Sequence, residues 1–138
     1  MVVAYVDSSV IVAVAFEEPE GNRVQRLLRR HERLLSSNLL EAEVRAALAR
    51  EGADDGIETL LAGIDWILPT RPLRSELARA LAAGRVRGAN LWHLACALYI
   101  APSPAELGFL TLDRQQAVIA RALGFRVRPA AAIGSGRI

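Results

Sequence analysis

Acidic residues directly follow two short apolar segments of the chain. Asp7 comes after residues 2–6 (VVAYV), and Asp113 comes after residues 109–112 (FLTL). Both segments are typical of buried strands in a parallel sheet, and ligands of such sheets bind beyond the carboxyl ends of the strands. We therefore expect the two segments to be neighbouring strands and the two carboxylates to converge. The alternative for each aspartate is that it only caps the helix that follows.

A predicted helix over residues 39–50 carries two further acids that cannot share one face. Glu41 lies four residues before Arg45, the arrangement of an exposed ion pair. Glu43 falls on the small apolar face, where an acid needs a partner. A cation shared with the strand ends would be one such partner, and Arg50 is the alternative. We favour the shared cation.

Asn90 and His93 lie near the start of an apolar segment predicted to be a helix over residues 90–100. The Asn90 amide is a candidate fourth ligand, although asparagine is also a preferred helix cap. His93 is one turn further on. Because His31 is the only other histidine, a histidine-rich metal site is excluded, and we expect His93 to be a buried or supporting residue.

Clustered carboxylates have a defined chemistry. Two carboxylates about 4 Å apart repel by roughly 4 kcal/mol at an effective dielectric near 20, so a group of three or four holds protons or cations. Oxygen ligands suit Mg²⁺ or Mn²⁺, which can activate water and neutralise charge on a phosphate. The cluster therefore points to phosphodiester hydrolysis, although spacing alone does not separate this from other Mg²⁺-dependent phosphoryl chemistry.

The elements that position these residues alternate between strand and helix. Predicted strands span residues 2–6, 34–36, 67–68, 109–112 and 126–128. Predicted helices span 22–35, 39–50, 57–66, 72–83, 90–100 and 115–123, and another begins with Ser8 or Ser9 as its cap. This order predicts one α/β domain over residues 1–138 with a central parallel sheet covered on both faces. Residues 129–138 are expected to form a loose tail.

Composition limits the possible partners and compartments. All 17 basic residues among the 138 are arginine, and the net charge of +2 is only weak support for a nucleic-acid partner. Arg85, Arg87 and Arg114 flank the predicted site and are candidates for phosphate contacts, with solvated surface charge as the alternative. Cys96 lies in an apolar segment and is expected to be a buried, inert thiol, compatible with a cytoplasmic protein. No segment predicts a membrane helix.

Four ordered stretches carry a resemblance to a known family. They are YVDSS at 5–9, EVRAAL at 43–48, NLWHLA at 90–95 and FLTLD at 109–113. With this order and spacing the chain resembles the PIN-domain nucleases, and within them the VapC toxins of bacterial toxin–antitoxin pairs.

The resemblance implies a three-layer α/β/α PIN-like fold and assigns catalytic and metal-binding roles to Asp7, Glu43 and Asp113. Ser9 and Thr111 match small hydroxyl residues that accompany the site. Position 90, usually aspartate in the family, is Asn90 here, which keeps an oxygen ligand but removes a charge.

The resemblance also implies an activity and partners. It implies an endoribonuclease that uses Mg²⁺ or Mn²⁺, RNA as the substrate, a VapB-type antitoxin and a homodimer. The antitoxin is expected to cover an apolar groove beside the first helices and to point a basic side chain at the carboxylates.

Two other functions compete with this interpretation. An inactive PIN-like domain that only binds RNA or a protein is favoured by Asn90. A haloacid-dehalogenase-like phosphatase would need a second aspartate where Ser9 stands.

Overall fold

The computed structural model describes residues 2–53 and 56–129. Within these residues, strands and helices alternate as the sequence predicts. The strands are β1 (Val3–Val6), β2 (Arg33–Ser37), β3 (Ile64–Ile67), β4 (Gly108–Leu110) and β5 (Arg126–Arg128). The helices are α1 (Ser8–Ala15), α2 (Gly21–Arg29), α3 (Asn38–Arg50), α4 (Ile57–Leu61), α5 (Arg74–Ala83), α6 (Gly88–Ile100) and α7 (Arg114–Leu123). The expected loose tail lies outside the described residues from position 130 onward.

The five strands of the described part form one parallel sheet in the order β3-β2-β1-β4-β5. β1 is therefore central, with Val6 paired to Leu110 of β4 and Tyr5 paired to Leu35 of β2. The prediction that the first strand and the strand before Asp113 are parallel neighbours is confirmed. All strands point the same way, so their carboxyl ends meet at one edge of the sheet.

Helices cover both faces of the sheet. Successive side chains of β1 point to opposite sides, so that Tyr5 joins a core with α5, α6 and α7, whereas Val6 joins a core with α1, α2, α3 and α4. The predicted three-layer α/β/α arrangement is confirmed. Cys96 is buried in the first of these cores, and its burial raises its pKa to about 12, as expected for an inert thiol. Among the described residues, no helix combines the length and apolarity needed to cross a bilayer.

Two predicted helices are too long. The helix expected over residues 22–35 ends at Arg29, and the one expected over residues 57–66 ends at Leu61. In both cases the last predicted residues pair in the sheet, where β2 and β3 match over four positions from Leu34–Ile64 to Ser37–Ile67. Ladder hydrogen bonds and burial in the sheet outweigh the local helix pattern, as tertiary context commonly does.

Candidate active site

Asp7 lies at the carboxyl end of the central strand. Its backbone N–H donates to Leu110 O at 2.9 Å and so extends the pairing of β1 with β4. The side chain is buried, with only 3% of the residue exposed, and Oδ2 accepts from the N–H of Ser9 at 3.1 Å. Asp7 itself is therefore the cap of α1, and the prediction that Ser8 or Ser9 caps this helix is wrong. An aspartate beyond the strand receives the free N–H groups of the first turn better than a serine inside the helix.

Asp113 occupies the equivalent position on the neighbouring strand. Oδ1 accepts from the N–H of Gln116 at 2.9 Å, which caps α7. Thr111 joins the two aspartates, because its hydroxyl accepts from the Asp113 N–H at 3.0 Å and lies 3.2 Å from Asp7 Oδ2. Capping and a shared site were alternatives at the level of sequence; in the structure both aspartates cap a helix, and Thr111 contacts both residues.

Ser9 and Thr111 fix the strand ends as a pair. The Ser9 hydroxyl donates to Asp7 Oδ2 at 2.6 Å, accepts from the N–H of Leu112 at 2.9 Å and lies 3.4 Å from the Thr111 hydroxyl. The sequence analysis missed Gln116, which is fully buried with its Oε1 2.8 Å from the Thr111 hydroxyl. The available signal was a polar residue on the buried face of the last helix. These contacts hold Asp7 in one orientation.

The two glutamates of α3 point in different directions, as predicted. Glu41 makes an exposed ion pair with Arg45, with Nε and Oε2 2.8 Å apart. Glu43 accepts from His93 Nε2 through Oε1 at 2.8 Å, so its partner is a histidine instead of Arg50. Burial favours a raised pKa for Glu43, but the hydrogen bonds from His93 and Ser8 outweigh it and lower that pKa. Glu43 is thus held as a carboxylate.

His93 connects Glu43 to the strand that carries Asp7. It is completely buried, and Nε2 also lies 3.9 Å from Asp7 Oδ1. Its other nitrogen, Nδ1, is 2.6 Å from the hydroxyl of Tyr5. The expectation of a buried supporting histidine fits this geometry.

Asn90 is inside its helix and is not its cap. α6 begins at Gly88, and the N–H of Leu91 already bonds to Arg87 O at 2.8 Å. The prediction of a helix starting at Asn90 is wrong, because the helical hydrogen bonds begin earlier. The Asn90 side chain instead donates through Nδ2 to Asp113 Oδ2 at 3.2 Å. An ionised carboxylate only accepts hydrogen bonds, so the amide nitrogen faces Asp113 and the amide oxygen does not.

The types of donor at this edge of the sheet suit an oxygen-liganded cation, but their spacing does not yet make a metal site. In the described ranges, no three histidine, cysteine or acidic side chains are grouped closely enough to hold a metal ion. Asp7 and Glu43 flank His93, and Thr111 contacts the Asp7 side chain and the Asp113 backbone. Carboxylate oxygens suit Mg²⁺ or Mn²⁺ by ligand type. The residues that would hold such an ion are Asp7, Glu43 and Asp113.

Exposed arginines border the site on the α6–α7 side. Arg85 and Arg87 lie in the loop before α6, and Arg114 opens α7 directly after Asp113. All three are exposed, and none makes an ion pair with another described residue. The loop is tied to α7 by Gln115, whose Nε2 donates to Arg85 O at 2.8 Å. Arg85, Val86, Arg87 and Gln115 line a depression of about 200 Å³.

A larger cleft of about 410 Å³ lies between α1 and α2. It is lined by Val14, Glu17, Glu18, Gly21, Asn22 and Gln25. The sequence analysis expected an apolar groove beside the first helices. This cleft differs from that expectation, because the α1–α2 turn and the outer face of α2 contribute polar and acidic side chains.

Comparison with known proteins agrees with the fold. The PIN domain family model matches residues 4–122. Ribonuclease VapC46 of Mycobacterium tuberculosis (strain ATCC 25618 / H37Rv) is 34% identical to the chain over 130 residues, which cover 92% of this chain and 97% of that relative. No solved structure matches the chain. The chain therefore belongs to the PIN-domain family and, within it, to the VapC proteins.

Proposed function

We propose that this protein is a metal-dependent endoribonuclease and the toxin of a type II toxin–antitoxin pair. The observation that carries the proposal is that Asp7 and Asp113 follow neighbouring strands and share the contact Thr111, while His93 links Glu43 to the Asp7 side. Support for RNA as the substrate comes from the similarity to a VapC ribonuclease along nearly the whole chain.

The three carboxylates would hold Mg²⁺ or Mn²⁺, which supplies an activated water and neutralises charge on the scissile phosphate. The chain's own contribution is orientation. Ser9 and Thr111 hold Asp7 through its Oδ2, and His93 holds Glu43 through its Oε1. Groups fixed before the substrate binds need no reorganisation during the reaction.

Incubation of the protein with labelled RNA pools, with and without Mg²⁺, tests the proposal. We expect cleavage that requires the metal, is lost on chelation and is lost in Asp7→Asn. Asp65→Asn is the matched control, because Asp65 is exposed and, among the described residues, forms an ion pair only with Arg33 at 2.9 Å. RNA binding without cleavage at any Mg²⁺ or Mn²⁺ concentration would contradict the enzyme and favour an RNA-binding module. The hydrogen bond from Asn90 to Asp113 favours this RNA-binding function, because it occupies a carboxylate oxygen that a cation would otherwise use. Hydrolysis of phosphomonoesters alone would instead indicate a phosphatase.

Arg85, Arg87 and Arg114 are proposed to hold RNA phosphates beside the carboxylates. Changing all three to glutamine should weaken RNA binding and reduce the slope of log affinity against log salt by about 2, since each single-strand phosphate contact contributes about 0.7. The matched control changes Arg23, Arg26 and Arg29, which are exposed on α2, a helix that packs on the other face of the sheet. Salt titrations of a fluorescent RNA measure both slopes, and equal slopes for the parent and the first variant would mean that these arginines are solvated surface charge.

The proposed partners are a VapB-type antitoxin and a second copy of the chain, in the cytoplasm. An antitoxin arginine placed among the carboxylates would take the position of the cation and stop cleavage. The same RNA assay on a purified toxin–antitoxin complex tests this step. Undiminished metal-dependent cleavage by the complex would contradict inhibition at the site.

A further inference from the structure

A buried chain of hydrogen bonds runs behind the candidate site and ends on Glu43. The N–H of Ser37 donates to the Tyr5 hydroxyl at 3.2 Å, that hydroxyl lies 2.6 Å from His93 Nδ1, and His93 Nε2 lies 2.8 Å from Glu43 Oε1. Tyr5 and His93 are both completely buried. The proposed reaction uses only the contact of His93 with Glu43, so Tyr5 and the far side of the His93 ring need their own explanation.

The direction of the chain follows from its donors. A backbone N–H can only donate, so the Tyr5 oxygen accepts from Ser37. The Glu43 carboxylate only accepts hydrogen bonds, so His93 donates to it and carries its ring proton on Nε2. In the neutral imidazole Nδ1 is then an acceptor, and the Tyr5 hydroxyl donates to it. One arrangement satisfies every member, and among the described residues no buried side-chain nitrogen or oxygen lacks a partner.

Aromatic contacts hold the Tyr5 end of this chain of hydrogen bonds in place. The Tyr5 ring stacks on Phe109 at 5.4 Å between centroids and meets the His93 ring edge-on at 5.6 Å. Tyr5 stands on β1 two residues before Asp7, whereas Glu43 comes from α3, a different element. The Nε2–H group of His93 therefore links Glu43, whose side chain is 29% accessible, to the strand that carries Asp7.

Ser37 joins the same chain to the start of α3. Its hydroxyl accepts from the N–H of Leu39 at 3.2 Å and caps the helix, while its own N–H bonds to Tyr5. Helix α3 is thus attached to Tyr5 at its first turn and, through His93, at Glu43 near its middle. Both attachments fix how α3 presents Glu43 to the strand ends.

We propose that Tyr5 and His93 are positioning residues, which hold Oε1 of Glu43 and leave its other carboxylate oxygen for the divalent cation. This inference rests on the proposed function. Without the Nε2–H donor, Glu43 keeps its hydrogen bond from Ser8 but loses its link to the buried Tyr5–His93 pair, so the ion loses a ligand of fixed orientation. Loss of a hydrogen bond to a metal ligand typically lowers metal affinity or activity by about 10- to 100-fold.

Two substitutions of His93 separate its two contacts. Glutamine places an amide nitrogen near the position of Nε2, so His93→Gln keeps a donor to Glu43 and loses the acceptor for Tyr5. Asparagine places its carbonyl oxygen near the position of Nδ1, so His93→Asn keeps the acceptor and loses the donor. Calorimetric titration with Mn²⁺ gives the metal affinity without any RNA, and thermal unfolding without metal gives the stability of each variant.

We expect His93→Gln to bind Mn²⁺ within about 3-fold of the parent and His93→Asn to bind at least about 10-fold more weakly. In RNA cleavage, kcat should fall for His93→Asn while KM for RNA stays near the parent value, because the RNA-binding surface is unchanged. Tyr5→Phe removes the hydroxyl that selects the tautomer, and its Mn²⁺ affinity should fall in the same direction by a smaller factor.

Each result bears on a different claim. Equal losses of Mn²⁺ affinity in the Gln and Asn variants, in step with equal losses of thermal stability, would show a purely structural histidine and overturn the inference. Parent-like Mn²⁺ binding by His93→Asn would also overturn it and leave the proposed function intact. Failure of the parent itself to bind Mn²⁺ and to cleave RNA would overturn the proposed function, and this inference with it.

Discussion

Replacing Glu43 with glutamine should abolish metal-dependent RNA cleavage while the domain still folds. Glutamine keeps the size of the side chain and can still accept from His93 Nε2, which now donates to Glu43 Oε1 at 2.8 Å, but it offers the cation no charge. We expect kcat to fall by roughly a thousandfold, equivalent to about 4 kcal/mol of lost transition-state stabilisation. Single-turnover cleavage at saturating Mg²⁺ measures the loss, and thermal unfolding checks the fold.

Glu41→Gln is the matched control for this loss. It removes the same charge two residues away on the same helix, but Glu41 pairs with Arg45 on the exposed side. An exposed pair contributes little, so both cleavage and stability should remain near the parent, with a stability change below about 1 kcal/mol. Equal losses from the two substitutions would show that the assigned helix faces are wrong.

The second large effect is a gain, expected from Asn90→Asp. The amide nitrogen of Asn90 is 3.2 Å from Asp113 Oδ2, so a carboxylate at position 90 would replace a hydrogen bond with charge repulsion. Two such charges about 4 Å apart repel by roughly 4 kcal/mol at an effective dielectric near 20, and a bound cation removes this repulsion. We expect the variant to be less stable than the parent without metal, to bind Mg²⁺ about ten times more tightly or better, and to cleave RNA faster.

A Mg²⁺ titration followed by thermal unfolding and by cleavage rate measures this gain. Asn22→Asp is the control. Asn22 lies in the first turn of α2, as Asn90 lies in the first turn of α6, but Asn22 is exposed and Asn90 is partly buried. Any effect of adding one negative charge near a helix start appears in both variants. Titration curves that coincide for the parent and Asn90→Asp would place Asn90 outside the working site.

The parts of the site that sequence could predict are those with a local signal. Asp7 and Asp113 each follow an apolar segment directly, so the carboxyl ends of two strands could be read from the chain. Glu43 could be separated from Glu41 because a helix face repeats every three to four residues. The three-layer fold followed from the alternation of elements, and the structure confirms it.

What escaped prediction depends on contacts between distant segments. Tyr5 and His93 are 88 positions apart and meet only because β1 and α6 pack together, so no local pattern marks Tyr5 as more than a core aromatic. β3 has four residues in a segment that reads as the end of a helix, and only pairing with β2 distinguishes it. Asn90 resembles a cap in sequence because asparagine is a preferred cap and Gly88, a poor helix former, stands at the true start of the helix.

Asp7 and Asp113 are helix caps as well as candidate metal ligands, and this affects how an inactive form of the protein is best made. Each carboxylate accepts from the backbone of the helix that follows it, at Ser9 for one and at Gln116 for the other. Alanine at either position would remove the charge and the helix cap together, at a cost of about 1 kcal/mol for the cap alone. Asparagine caps a helix about as well as aspartate, so it removes the charge and leaves the scaffold. An inactive toxin for use as bait for its RNA or its antitoxin is therefore best made with asparagine, since alanine would confuse lost chemistry with a loosened fold.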